Sequence, residues 1–169
     1  MARIIYNLLL YLVFPFFVLR MMARSLKMPG YRQRFLERFG ILDNTSLQDS
    51  DIIWIHAASV GEVFVAAPLM KSLLAQYPKF KLVVTTTTPT SSDLVNQDFG
   101  DSVYHVYAPW DLPGSVKRFL AKVGPKILIL IERELWPNIL YQTHVNGCST
   151  VLVNARLSAR SASRYARFS

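Results

Sequence analysis

A single cysteine, Cys148, rules out an internal disulfide and suits a reducing compartment. No Gly-x-Gly-x-x-Gly run occurs, so the dinucleotide fingerprint is missing. The three histidines, His56, His105 and His144, are scattered, and no His/Cys spacing fits a zinc site. No internal repeat or low-complexity linker divides the chain, and 169 residues set one domain as the expectation. Acidic residues are scarce too: 11 against 19 lysines and arginines. That surplus is uneven. Residues 1–38 hold seven basic side chains and one acid, and residues 154–169 hold four arginines and none. The stretch between them is close to neutral. Two basic ends on a neutral body suit an anionic membrane surface or a phosphorylated ligand. They do not suit a nucleic-acid face spread over the fold.

What is present begins with a long apolar run. Ile4–Leu19 is interrupted only by Asn7 and Pro15 and flanked by Arg3 and Arg20. Extended through Ala23 it makes a helix of about 30 Å, long enough to span a bilayer or lie along one. No small-residue cleavage site precedes the following charges, which argues against a removable signal peptide. Arg20, Arg24, Lys27, Arg32, Arg34 and Arg38 follow, and the positive-inside rule puts that side in the cytoplasm. The competing reading is a soluble core helix with a solvated basic one behind it, although a core helix of this length normally shows a polar face. Residues 1–25 are therefore expected to be a membrane anchor. Residues 26–50 are expected to be a basic interfacial segment and linker, with a short helix over Tyr31–Phe39 capped by Gly40.

The body, residues 51–169, is organised around Asp51–Glu62. Ile52–Ile55 is a short β-branched run of the kind that forms a strand buried on both faces. Ala57, Ala58, Ser59 and Gly61 make a small-residue turn, and Glu62 opens an apolar-periodic helix. Further strands are predicted at Lys81–Thr87, Ser102–Tyr107, Ile127–Ile131 and Thr150–Val153, alternating with helices. That alternation predicts an α/β fold with a Rossmann-like, three-layer parallel sheet and right-handed crossovers. Sites in such sheets sit at the carboxyl ends of the strands.

Each motif at that edge has two uses. Ser59-x-x-Glu62 fits a capping box, and Glu62 is also placed to serve as a general base. The hydroxyl-rich Thr85–Asp93 turn, with Thr88, Thr90, Ser91 and Ser92, starts a helix and can hold an anion or simply cap. Glu132 and Glu134 follow the most apolar strand, either to orient groups or as helix-start charges. Asn154, Arg156 and Arg160 follow the last strand. The arginines can grip phosphate with forked donors or form a solvated end. His56, beside the turn, reads as structural.

Five segments in this order carry a resemblance: Trp54–Glu62; Thr85–Thr90 with Pro89; Tyr107-x-Pro109-x-Asp111; Glu132-x-Glu134-Leu135-Trp136-Pro137-Asn138; and Asn154-Ala155-Arg156-Leu157-Ser158. Together they resemble the 3-deoxy-D-manno-oct-2-ulosonic acid (Kdo) transferase family, along the whole chain. Ser91 and Asp93 stand where that family usually has Gly and Glu, and Arg133 where it usually has a small hydroxyl residue. The resemblance implies an inverting, metal-independent glycosyltransferase of the GT-B fold, without a cofactor. It implies transfer of Kdo from CMP-Kdo to a lipid A precursor at the cytoplasmic face of the inner membrane. Glu62 is the implied catalytic base. Ser59, Gly61, Thr88, Thr90, Ser91 and Ser92 are the substrate-binding candidates of the first two loops. Glu132, Asn154, Arg156 and Arg160 are those of the last two. Family members run to more than twice this length, so the implied carboxy-terminal donor domain lies outside the chain, and this acceptor domain is expected not to turn over alone. Two other classes fit parts of the pattern: a membrane-anchored, non-catalytic anion-binding module, and another GT-B transferase acting on a lipid-linked sugar.

Overall fold

The computed structural model of the protein describes residues 2–43, 47, 50–132 and 134–155. Helix α1 (Ala2–Lys27) runs unbroken through Pro15. The body then alternates: β1 (Asp51–His56), α2 (Val60–Gln76), β2 (Phe80–Thr86), α3 (Pro89–Phe99), β3 (Tyr104–Tyr107), α4 (Pro113–Val123), β4 (Ile127–Ile131), α5 (Pro137–Val145) and β5 (Ser149–Val153). All four strand pairings are parallel, and the strand order is β3-β2-β1-β4-β5. This is the Rossmann-like α/β architecture that the alternating pattern predicts.

Strand periodicity divides the core. Ile52 and Trp54 point to the face covered by α4 and α5, where they meet Val116, Phe119 and Ile139. Ile53 and Ile55 point to the face covered by α2 and α3, where they meet Val63, Met70 and Val95. Trp54 is fully buried, with its ring centroid 4.7 Å from that of Phe119. Emptying such a position, as in Phe119→Ala, costs about 3–5 kcal/mol.

The Tyr31–Phe39 stretch departs from the expected helix. Two short 3-10 turns form instead, at Pro29–Tyr31 and Phe35–Phe39, with Arg34 between them in the left-handed region at φ 50°. Long-range bonds override local propensity here. Glu37 Oε2 accepts from the Tyr107 N–H at 2.7 Å, and Arg118 Nε donates to the Phe39 carbonyl at 2.8 Å. Gly40, at φ 71°, lies so close to α4 that a Cβ would sit 2.2 Å from the Ser115 carbonyl oxygen. Only glycine fits there.

Helix α1 lies against the body. Tyr6, Asn7, Leu10, Phe14, Val18, Met21 and Ser25 recur at helical spacing and are its less exposed residues. The Tyr6 hydroxyl donates to Asp111 Oδ2 at 2.8 Å, and Asn138 Nδ2 donates to Asn7 Oδ1 at 2.7 Å. Phe14 joins Phe35, Phe39 and Trp110 in an edge-to-face cluster, 4.7 Å from the Trp110 ring. The opposite flank is apolar and open, with Leu12 78% and Leu19 67% exposed. Arg3–Lys27 is long and apolar enough to cross a membrane, with mean hydropathy 1.9 over its most apolar window. It is a candidate anchor.

Candidate active site

Strand β1 has β2 on one side and β4 on the other. The connections leaving β1 and β4 therefore diverge, and a crevice opens at their carboxyl ends, where ligands of such sheets bind. After β1, the chain passes Ala57 and Ala58 to Ser59, the N-cap of α2. After β4, it turns at Glu132, in the left-handed region at φ 62°, and brings Glu134 back toward β1.

Glu62 lies in the first turn of α2. Its Oε2 accepts from the Ala58 N–H at 2.7 Å, and its Oε1 accepts from the Ser59 hydroxyl at 2.9 Å. In return, the Glu62 N–H donates to Ser59 Oγ at 3.4 Å. The reciprocal cap is thus real, although the glutamate reaches the Ala58 N–H rather than that of the cap residue itself. The side chain is 7% exposed, yet it lines a cavity of about 530 Å³. Capping and facing a groove coexist in one residue. Burial pushes the Glu62 carboxyl above the usual glutamate range. The bonds from Ala58 and Ser59 oppose that rise, while the nearby Glu134 charge adds to it.

His56 and Glu134 stand beside it. The Trp54 indole, which can only donate, gives its N–H to Thr85 Oγ1 at 2.8 Å. Thr85 Oγ1 also pairs with His56 Nδ1, 2.9 Å away. His56 Nε2 has no hydrogen-bond partner and lies 3.7 Å from Glu134 Oε2. Contact with the His56 ring, together with a 2.8 Å bond from the Trp136 indole, holds the Glu134 carboxyl below its usual range against the effect of burial.

The structure brings together some of the sequence candidates and separates others. Ser59, Glu62 and Thr88 line the cavity, with His56 and Glu134. Thr88 caps α3 through a reciprocal pair with Ser91, which is buried behind it. Ser92 is buried too, and its Oγ accepts from Arg34 Nη2. Thr90 is exposed and rests 3.2 Å from the Thr88 hydroxyl. Gly61, Glu132 and Asn154 are not among the lining residues. Arg156 and Arg160 lie outside the described residues.

Helix α1 supplies a wall that sequence reading did not anticipate: Leu10, Phe14, Phe17, Met21, Arg20 and Arg24 line the same cavity. Arg38, 3% exposed, lines it as well. In sequence it is one basic residue among several, and nothing local marks it as buried. Asp111 completes the edge. Its Oδ2 accepts from the Asn138 N–H at 2.9 Å, and its Oδ1 accepts from the Ile139 N–H at 2.8 Å, capping α5 from another loop. The quoted Tyr107-x-Pro109-x-Asp111 segment was the available signal for that role.

Comparison with known proteins covers the segments that carry these loops. Residues 33–169 fit the family described as 3-deoxy-D-manno-octulosonic-acid transferase (kdotransferase). The chain is 47% identical to the 3-deoxy-D-manno-octulosonic acid transferase of Haemophilus influenzae, over 99% of its own length and 39% of the relative's. It is 31% identical to a probable mitochondrial 3-deoxy-D-manno-octulosonic acid transferase of Arabidopsis thaliana, over 95% of its own length and 36% of the relative's. A 30% identity links it to a bifunctional glycosyltransferase/methyltransferase of Fusobacterium nucleatum, over 88% of its own length and 24% of the relative's. The chain spans about two fifths or less of these relatives. With the carboxyl-edge loops, the parallel sheet and this coverage in agreement, the chain belongs to the 3-deoxy-D-manno-octulosonic acid transferase family.

Proposed function

We propose that this chain is the acceptor-binding, amino-terminal domain of a GT-B glycosyltransferase, in which Glu62 is the general base. In this reading Kdo passes from CMP-Kdo to a lipid A precursor, and the anomeric centre inverts. CMP-Kdo is a substrate held mainly by a second domain, and no metal or cofactor takes part. The observation that carries the reading is the state of Glu62. Each carboxylate oxygen accepts one hydrogen bond from the protein, so each keeps a lone pair for a further donor. The side chain lines a cavity at the carboxyl edge. A sugar hydroxyl seated there gives its proton to Glu62 as its oxygen bonds to the anomeric carbon of Kdo, while the bond from that carbon to the CMP phosphate oxygen breaks and CMP leaves with the electron pair. Raised basicity from burial makes Glu62 a better proton acceptor than a solvated glutamate, as long as it stays ionised at working pH. Glu134, with His56 beside it, keeps a second negative charge near the site and favours proton uptake by Glu62.

Membrane attachment follows from α1. One flank is docked on the body along its length, so the helix lies in the interface with the opposite apolar flank in lipid rather than crossing the bilayer. The cavity then opens beside the membrane, and the acceptor presents its sugar without leaving the bilayer. The inner membrane's cytoplasmic leaflet fits the cluster of basic residues after the apolar run.

The test joins this chain to the carboxy-terminal remainder of the Haemophilus relative and measures Kdo transfer by wild type and Glu62→Gln. A general base is worth about 10²–10⁴-fold in rate. Near-normal transfer with a lowered melting temperature would leave Glu62 only a cap.

A further inference from the structure

We propose that Arg38 is an anion-binding residue that takes a phosphomonoester, carried on a lipid headgroup, in the cavity between α1 and the carboxyl edge of the sheet. The inference rests on the reading of the acceptor as a membrane lipid, and it adds the group that recognises its phosphate.

Arg38 is a guanidinium almost sealed from solvent. Its Nη2 donates to the Thr87 carbonyl at 3.0 Å, and its planar head lies 4.2 Å from the centroid of the Tyr107 ring. Its Nε is buried without a hydrogen-bond partner. Among the described residues no carboxylate comes within ion-pair distance of it. The adjacent Glu37 spends Oε2 on the Tyr107 N–H and on Arg34, 3.6 Å away. Burying a charge costs several kcal/mol, the nearby Glu37 carboxylate offsets only part of that cost for Arg38, and an arriving anion would meet the rest. Here the fork is held rigid by the ring and the carbonyl, so little freedom is lost when an anion binds.

The surroundings specify the anion. Arg20 and Arg24 of α1 line the same cavity, so three arginines border it. A phosphomonoester carries about −1.5 to −2 charges near neutral pH, against −1 for a diester, and makes better use of such a set. Much of the same lining is apolar and aromatic, from Leu10, Phe14, Phe17 and Trp110. A free phosphate has no use for that wall, whereas a phosphorylated glycolipid does.

The experiment floats the whole chain with phosphatidylcholine vesicles containing phosphatidic acid, a phosphomonoester lipid. A second set contains phosphatidylglycerol, a diester, matched for surface charge. Wild type is expected to prefer phosphatidic acid, and Arg38→Gln to lose about ten- to hundredfold in affinity for it, with phosphatidylglycerol binding unchanged. A purely structural arginine would weaken both together, and that result, or a preference surviving in Arg38→Gln, overturns the proposal. Should Arg38→Gln fail to fold by circular dichroism, Arg20→Gln/Arg24→Gln takes its place at exposed positions. The preference is expected to drop several-fold at constant melting temperature, and an unchanged preference overturns the guanidinium cluster. Methyl phosphate that displaces the chain from phosphatidic acid vesicles supports recognition of the phosphate itself. Methyl phosphate that raises the melting temperature while vesicle binding shows no preference assigns the site to a soluble phosphate and overturns the lipid source. None of these readouts needs turnover, so they stand or fall separately from the role of Glu62.

Discussion

Two buried carboxylates sit at the same edge of the sheet, each against a helix N-terminus, and they are held differently. Asp111 accepts three bonds, from the Asn138 and Ile139 N–H groups and the Tyr6 hydroxyl, tying the α4 entry, α5 and α1 together. Glu62 accepts two, both from its own turn, one on each oxygen. Burial raises the basicity of both. Neither burial nor a perturbed acidity separates scaffold from chemistry here. The difference lies in how many donors the protein has already committed, and whether the carboxylate is shared across elements or kept within a single turn.

The largest effect that can break this contrast is on catalysis. Glu62→Gln in the completed enzyme is expected to lower transfer about 10²–10⁴-fold, while thermal melting moves by only a few degrees. Asp111→Asn is expected to do the reverse. One amide nitrogen would face backbone donors, leaving a buried N–H unsatisfied at about 1–3 kcal/mol each. A loss of several degrees in melting temperature should follow, with far less change in the rate per folded molecule. If Asp111→Asn abolishes transfer at full stability, the two carboxylates are not distinct in kind.

Acidity sharpens the comparison. As the proposed base, Glu62 must be ionised, so transfer is expected to fall as pH drops through its pKa. That limb should lie above the usual glutamate value of about 4.3, because burial raises it. Ser59→Ala removes a hydroxyl that favours the ionised form, so the limb should move to higher pH, with about 1 kcal/mol of cap stability lost. A limb at the same pH in Ser59→Ala would show that the hydroxyl does not tune the base. The smallest effect is expected from Tyr6→Phe, which removes one bond to Asp111 worth about 1 kcal/mol. Vesicle binding should persist in this variant, since the exposed apolar flank of α1 is untouched.

How much of this was legible follows from how local each feature is. The strands could be read because Ile52–Ile55 and Ile127–Ile131 are short β-branched runs whose burial on both faces leaves no polar alternation. The Ser59–Glu62 cap was readable because its partners are three residues apart. The 3-10 turns after α1 were not, because Glu37 and Phe39 take their partners 70 and 79 residues away. Arg38 resembled any solvated arginine, since the Tyr107 ring and Thr87 carbonyl that bury it come from distant strand ends. The cavity was hidden for the same reason: one side of it comes from α1, and an apolar run does not announce which flank it docks.

The long sequence separation of the α1 contacts has a consequence for synthesis. Tyr6 and Asp111 are 105 positions apart, and Asn7 and Asn138 are 131. On the ribosome the helix is therefore made well before the loop and helix that receive it. Throughout that delay it has no protein surface to cover either flank, and a nearby bilayer is the one apolar refuge on offer. If α1 is the proposed interfacial anchor, assembly then proceeds by raising the sheet onto a strip already lodged in lipid, so the groove is built at the water–lipid boundary instead of being carried there afterwards.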